Sequence, residues 1–363
     1  MTAMAPAQPA ARSRVRLARA APVDPRSHTM SPPRLLRYLD IKVHHLIQER
    51  DWDSIIVVGE YDRSCVISAN EKTGKLFNWQ RPAAEPRDRT LIIKCFPGTD
   101  YVLHYALIIA TYLHMTGRYR GQVRYQLPPE AACQAAVSDL NVDPRGDGLV
   151  ILGWGLPRMA GAGAWTPGGG FAWTRDDLGG HRVLYLGFLH SIWGDVAGRV
   201  VARLAALGAR NVVYIGKVGS LDPQVVPNTR LATGDSSILA GEPVRWRDFF
   251  TDQAARHYDV LPGVHATSPS ILLEGRAWLS RQAGRHFVDP EIGHMGRAAA
   301  AAGIRFGFLH IISNNLACPY HHDLSNERVE TVLELRAQLL SRIRDIIKLT
   351  LDASAPATGR LCR

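Results

Sequence analysis

Paired cysteines, long apolar runs and basic segments within the body are all missing from this 363-residue chain. Its five cysteines (Cys65, Cys95, Cys133, Cys318 and Cys362) are scattered, odd in number and nowhere arranged as C-x-x-C. That pattern argues against a disulfide framework and fits a reducing compartment, so a cytoplasmic location is expected. The longest apolar stretch, Tyr101 to Met115, is interrupted by His104 and His114 and is too short to span a bilayer, so no membrane partner is expected. The net charge of +10 comes mainly from the ends, where Arg12, Arg14, Arg16, Arg19, Arg26 and Arg34 face one acid, Asp24, and where Arg360 and Arg363 face none. The body is close to neutral and has no run of Lys or Arg interleaved with aromatics, so no nucleic-acid partner is expected either.

What is present is a globular composition, 46% hydrophobic and 21% charged. Residues 1–33, rich in Ala, Pro and Arg, lack the apolar core of a secretory signal and are expected to be a disordered leader, with an organellar targeting segment as the alternative. Met30, just before Ser31-Pro32-Pro33, marks an alternative start, and residues 353–363 read as a disordered tail. The spacing of Leu35, Leu39, Val43 and Leu46 predicts a helix over 34–50, followed by a buried strand at Ser54–Val58. A second strand at Leu91–Phe96, a helix at Tyr101–Met115 and a strand at Gln122–Gln126 complete an N-terminal α/β domain, 34–145, of unassigned role.

The turn-rich segment Asn141–Gly148 marks the domain boundary. Beyond it, strands are predicted at Leu149–Leu152, Val183–Leu186, Asn211–Ile215 and Phe306–Ile312. They alternate with helices at Asp195–Leu207, Pro290–Ala302 and Ser325–Leu351, and Ala160–Gly170 reads as a loop. This is α/β: a mixed, largely parallel central sheet covered by helices on both faces, over residues 148–352.

Several chemistries fail on spacing. Gly153-Trp154-Gly155 lacks the third glycine of a dinucleotide fingerprint, because Arg158 stands there. Gly216-Lys217 lacks both the upstream glycine and the Ser or Thr of a nucleoside-triphosphate loop, and no G-x-S-x-G elbow occurs. Cys318-Pro319-Tyr320-His321-His322-Asp323 has no second group of ligands at zinc spacing, and Glu291-x-x-His294 is not duplicated as a di-iron bundle requires. No metal and no organic cofactor are expected.

Three segments do hold together. Val212–Leu221 is a buried strand running into Gly216, Lys217, Gly219 and Ser220, where glycines let backbone amides approach an anion and Lys217 adds charge. Asp289-Pro290-Glu291 sets two carboxylates at the mouth of an apolar helix, and Leu309–Asn315 is a strand ending in Ser313, Asn314 and Asn315. In their order these segments resemble the nucleoside phosphorylase/nucleosidase superfamily over roughly residues 148–352, which implies a phosphorylase-like fold and N-glycosidic bond cleavage.

The resemblance implies that Lys217-Val218-Gly219-Ser220 is the phosphate-binding turn, with inorganic phosphate as co-substrate. It implies that Glu291, with Asp289, serves the ribose hydroxyls, and that Ser313-Asn314 lies beside the base. Gly187–Ser191 stands for the family's glycine loop, which makes His190, like Trp154 and Trp173, either a base-stacking or a wall-forming side chain. Arg158 in Gly155-Leu156-Pro157-Arg158 is preferred for the first phosphate loop over Arg63 in Gly59–Arg63. Asn314 departs from the family's Asp and cannot supply a proton, which turns the expected substrate toward 6-oxopurines. A pentosyl transfer to phosphate and a homo-oligomer are expected; a phosphate-independent nucleosidase and a non-catalytic nucleoside or nucleotide sensor are the alternatives.

Overall fold

The computed structural model describes residues 17–354 except 73, 162, 251–255 and 257–259. Its N-terminal part is a five-stranded sheet in the order Ala18–Arg19, Val123–Gln126, Ser54–Val58, Thr90–Lys94, Ala83–Arg87. The three inner strands are parallel and the two edge strands antiparallel. Ile55 and Val57 alternate into the core with Leu91 and Ile93. The helix Thr99–Met115 is buried almost all round, which explains its unbroken apolar character; its His104 is satisfied by Ser270 Oγ at 2.7 Å. The helix expected over 34–50 is two, Pro32–Asp40 and His45–Glu49, because His44 turns back to accept from the Leu46 amide and starts the second.

The expectation of disorder through residue 33 is corrected for residues 17–33. Ala18 and Arg19 pair with Tyr125 and Arg124, Ala20 is buried, and His28 Nε2 bonds the Ile271 carbonyl at 2.8 Å. Edge pairing uses backbone groups that composition does not reveal, and Val23 and Met30 supply the apolar contacts. Residues 1–16 lie outside the described residues. At the other end the terminal helix, Glu330–Ser354, takes in the first two residues of the expected tail, and 355–363 lie outside the described residues.

The C-terminal part holds the mixed, largely parallel arrangement, divided between a seven-stranded and an eight-stranded sheet. Two neighbouring parallel chain segments pass from one sheet to the other. Asn211–Ile215 belongs to the first sheet and Lys217–Ser220 to the second; beside them run Arg305–Phe308 and His310–Asn315. The strand expected at Phe306–Ile312 is therefore split at Leu309. Gly216 permits the matching break, since a Cβ there would meet His310 Nε2 at 2.6 Å.

Strand alternation sorts the core. Leu149, Ile151, Val213 and Ile215 pack with Leu340, Ile343 and Ile347 of the terminal helix. Val150, Leu152, Val212 and Tyr214 pack with the helices Asp195–Ala206 and Ile292–Ala302. Both faces are thus covered. The expected loop at 160–170 contains a short strand, Thr166–Gly168, hairpinned onto Phe171–Asp177. No helix among the described residues is long and apolar enough to cross a membrane.

Candidate functional site

The sheet crossing brings the polar strand ends together. Lys217–Ser220 lies between Phe287–Asp289, with Gly219 opposite Val288, and His310–Asn315, with Gly219 opposite Asn314. Lys217, Gly219, Asp289, Glu291, Ser313 and Asn314 therefore come from three adjacent strands and the helix that follows one of them. Gly219 is needed for this approach, because a Cβ would stand 3.1 Å from Asn314 Nδ2 and 2.5 Å from Leu316 Cδ1.

The two carboxylates have different tasks. Asp289 Oδ1 accepts from the Glu291 and Ile292 amides, both at 2.9 Å, so it caps the helix Ile292–Ala302, and it lies 3.0 Å from His265 Nε2. Burial opposes its ionisation, yet His265, His310 and the Ile292 amide hold it below the usual carboxylate range. Asp289 Oδ1 is thus engaged with the scaffold, while its Oδ2 has no hydrogen-bond partner among the described residues and the Glu291 carboxyl lies beside it. Glu291 is 8% exposed, and burial together with the neighbouring Asp289 pushes it well above the usual range. The two carboxyls are thus pushed apart in acidity, Glu291 being the member that holds a proton more tightly.

Asn314 is oriented by its neighbour. Ser313 Oγ donates to Asn314 Oδ1 at 3.0 Å, which leaves the Nδ2 amide as the donor available to a ligand. Asn314 opens on a cavity of about 230 Å³ whose other walls include His28, Met30, Arg34, Glu274 and Leu316. Glu274 was not singled out in the sequence, because it sits between a 3-10 turn and a short helix without any motif. It is 4% exposed, its Oε1 has no hydrogen-bond partner among the described residues, and burial pushes it up to about 8, with Asp289 adding to the shift. It is an acid that keeps its proton at pH 7.

At the start of the same strand, Lys217 Nζ is ion-paired with Glu327, which also lies 3.4 Å from Arg336 Nη1. Arg336 Nε donates to Asn228 Oδ1 at 2.8 Å. Burial works against ionising Glu327, but Lys217, Lys42, Arg336 and Lys72 together hold it well below the usual range. The N-terminal part contributes to this group through the segment 71–81. That segment is pinned to the loop after Arg182–Phe188 by the Asn78 amide on the Phe188 carbonyl, 2.8 Å, and by the Trp79 and Gln80 amides on the Leu189 carbonyl, 3.0 and 3.1 Å.

Three expected ligand contacts are not gathered here. Arg158 is exposed on the four-residue helix Leu156–Met159, which packs against the terminal helix. Ser220 is fully buried, and its hydroxyl donates to the Asp222 carbonyl at 3.2 Å and accepts from the Asp222 amide at 3.1 Å, so its proton is not offered to an anion. His190 stacks on Phe96 of the N-terminal part with ring centroids 4.5 Å apart, and burial lowers its pKa, which makes it a neutral wall side chain in this structure. Arg63, the other first-loop candidate, is paired with Glu71 at 2.8 Å and lies over Trp79.

No protein-family model matches the chain. Among curated proteins it is 27% identical over 274 residues to oxidoreductase cns1 of Cordyceps militaris, a match taking in 62% of this chain and 32% of that protein. The chain thus spans about a third of the length of that relative. Solved structures with a similar fold include a 5′-methylthioadenosine/S-adenosylhomocysteine nucleosidase from Colwellia psychrerythraea, 14% identical, with a TM-score of 0.43 over 56% of this chain and 94% of that one. The corresponding nucleosidase of Campylobacter jejuni is 12% identical, with a TM-score of 0.46 over 56% of this chain and 100% of that one. A uridine phosphorylase from Vibrio fischeri is 13% identical, with a TM-score of 0.46 over 61% and 95%.

Proposed function

We propose that this chain cleaves the N-glycosidic bond of a nucleoside or a close analogue. The observation that carries the reading is the register that sets Gly219 opposite both Asn314 and Val288, so that a buried carboxyl, an oriented amide and a lysine converge on one strand. The C1′–N bond breaks with its electron pair passing to the base, and positive charge develops on the sugar. The carboxyl pair Asp289 and Glu291 stabilises that cation from the sugar hydroxyl side. Asn314 Nδ2 donates to the base, and Glu274, protonated and in the same cavity, supplies the proton that Asn314 cannot. The base leaves neutral, and Glu274 recovers its proton from the attacking group.

With phosphate as that group, an oxygen of the dianion bonds to C1′ beside Lys217 and the product is a pentose 1-phosphate. The Lys217–Glu327 ion pair favours a second reading, hydrolysis, because a carboxylate already occupies the ammonium. Incubating the protein with a panel of purine and pyrimidine nucleosides, with and without phosphate, tests both readings. Base release only with phosphate supports transfer, equal release without it supports hydrolysis, and none under any condition refutes cleavage of free nucleosides.

A further inference from the structure

Around Glu327 the chain assembles more positive charge than a lysine on a phosphate turn requires. Lys42, Lys72, Lys217 and Arg336 all act on this one carboxylate, and Arg81 acts in turn on Lys42 and Lys72. Lys75 and Arg328 lie at the margin of the same group. Two of the cations are built into the interior with donors left open. Among the described residues Arg81, 6% exposed, has no hydrogen-bond partner at Nε or Nη2, and Arg336, 2% exposed, has none at Nη2. A buried guanidinium with unused N–H groups is costly unless an anion completes it.

The cations come from both parts of the chain: Lys42, Lys72 and Arg81 from the N-terminal part, Lys217 and Arg336 from the C-terminal part. The backbone hydrogen bonds that pin the segment 71–81 beside the strand end hold Lys72 and Arg81 in place without any contribution from a ligand. Lys42 stands 5.1 Å over the Tyr38 ring, which orients its ammonium.

We propose that this cluster is a subsite for a phosphomonoester on the sugar of the substrate, so that the chain takes a nucleotide in preference to the free nucleoside. The inference rests on the glycosidic-cleavage reading for the adjacent Glu291 and Asn314. An incoming dianion displaces Glu327 from Arg336 and satisfies the open N–H groups of Arg81 and Arg336, leaving Lys217 on the side of the attacking group. Burial and the neighbouring Arg81 push the Lys42 ammonium down to about 7, so an anion also restores its charge. Five central cations against one carboxylate leave positive charge for the substrate phosphate whether the nucleophile is water or a second phosphate.

Calorimetric titration of the whole chain with adenosine 5′-monophosphate, ribose 5-phosphate, adenosine and inorganic phosphate tests this. The monophosphate should bind at least tenfold tighter than adenosine, ribose 5-phosphate should compete with it, and Arg81→Gln should reduce the preference to threefold or less. Because Arg81 is buried, Lys72→Gln and Lys42→Gln, at half-exposed positions, provide variants expected to fold and to show the same loss. Equal binding of the monophosphate and adenosine overturns the subsite, as does a preference untouched by all three substitutions. Inorganic phosphate that binds as tightly as ribose 5-phosphate and raises adenosine affinity would assign the cluster to the co-substrate alone and overturn it as well. Base release followed in parallel separates the two proposals. Tight, Arg81-dependent monophosphate binding with no base released leaves the subsite standing and refutes cleavage, whereas adenosine turnover without monophosphate preference does the reverse.

Discussion

Replacing Glu274 by Gln should make the protein more stable and less active, with the gain in stability depending on pH. The folded chain holds the Glu274 proton up to about pH 8, whereas the unfolded chain releases it near 4.5. Within that window the folded state binds the extra proton, so stability falls as pH rises, by about 1.4 kcal/mol for each pH unit. Gln has the same shape and no proton to lose. At pH 5 the two proteins should differ by less than ~1 kcal/mol, and at pH 7 the variant should be more stable by ~3 kcal/mol. Urea unfolding at pH 5, 6, 7 and 8, followed by tryptophan fluorescence, reads the difference directly. The same substitution removes the proposed proton donor and should lower kcat by about 100-fold or more. A stability difference that stays constant across the four pH values would refute the buried, proton-holding state of Glu274. Unchanged turnover would remove it from the reaction.

Three further outcomes follow from the same geometry. Glu291→Gln should reduce kcat/KM by about 30-fold, near 2 kcal/mol, with circular dichroism unchanged, since the carboxyl nearest the sugar is lost while Asp289 still caps its helix. Lys217→Ala should raise the apparent KM for phosphate far more than that for nucleoside, and initial rates over a phosphate series would show it. Asn314→Asp should shift preference from 6-oxopurine toward 6-aminopurine nucleosides and introduce a pH dependence in the carboxyl range, measured by competition between inosine and adenosine at several pH values.

The regular elements were legible because each obeys one simple period. Val150 and Leu152 face one way and Leu149 and Ile151 the other, and Val196, Val200 and Leu204 repeat at helical spacing toward the sheet. Gly219, Asn314 and Glu291 were legible as motifs because each ends or follows a strand that hydrophobicity marks. Glu274 was not, because its chemistry arises from burial between distant segments and no local pattern records that. The cation cluster was hidden for a related reason: Lys42, Lys72, Arg81, Lys217 and Arg336 are scattered over nearly 300 positions. A near-neutral body charge averages such a cluster away. Ser220 shows the opposite failure, a residue of the right type in the right place whose hydroxyl the following turn has taken.

The two-residue strand Ala18–Arg19 has a consequence for solubility. It covers the outer side of Val123–Gln126, which without it would offer unpaired amides and carbonyls at the margin of the N-terminal sheet. The same stretch of chain continues through His28 to Met30 on the wall of the cavity beside Asn314. A chain trimmed to Met30 would therefore present a sticky sheet margin and an opened cavity together, so self-association and loss of ligand binding would arise from one deletion.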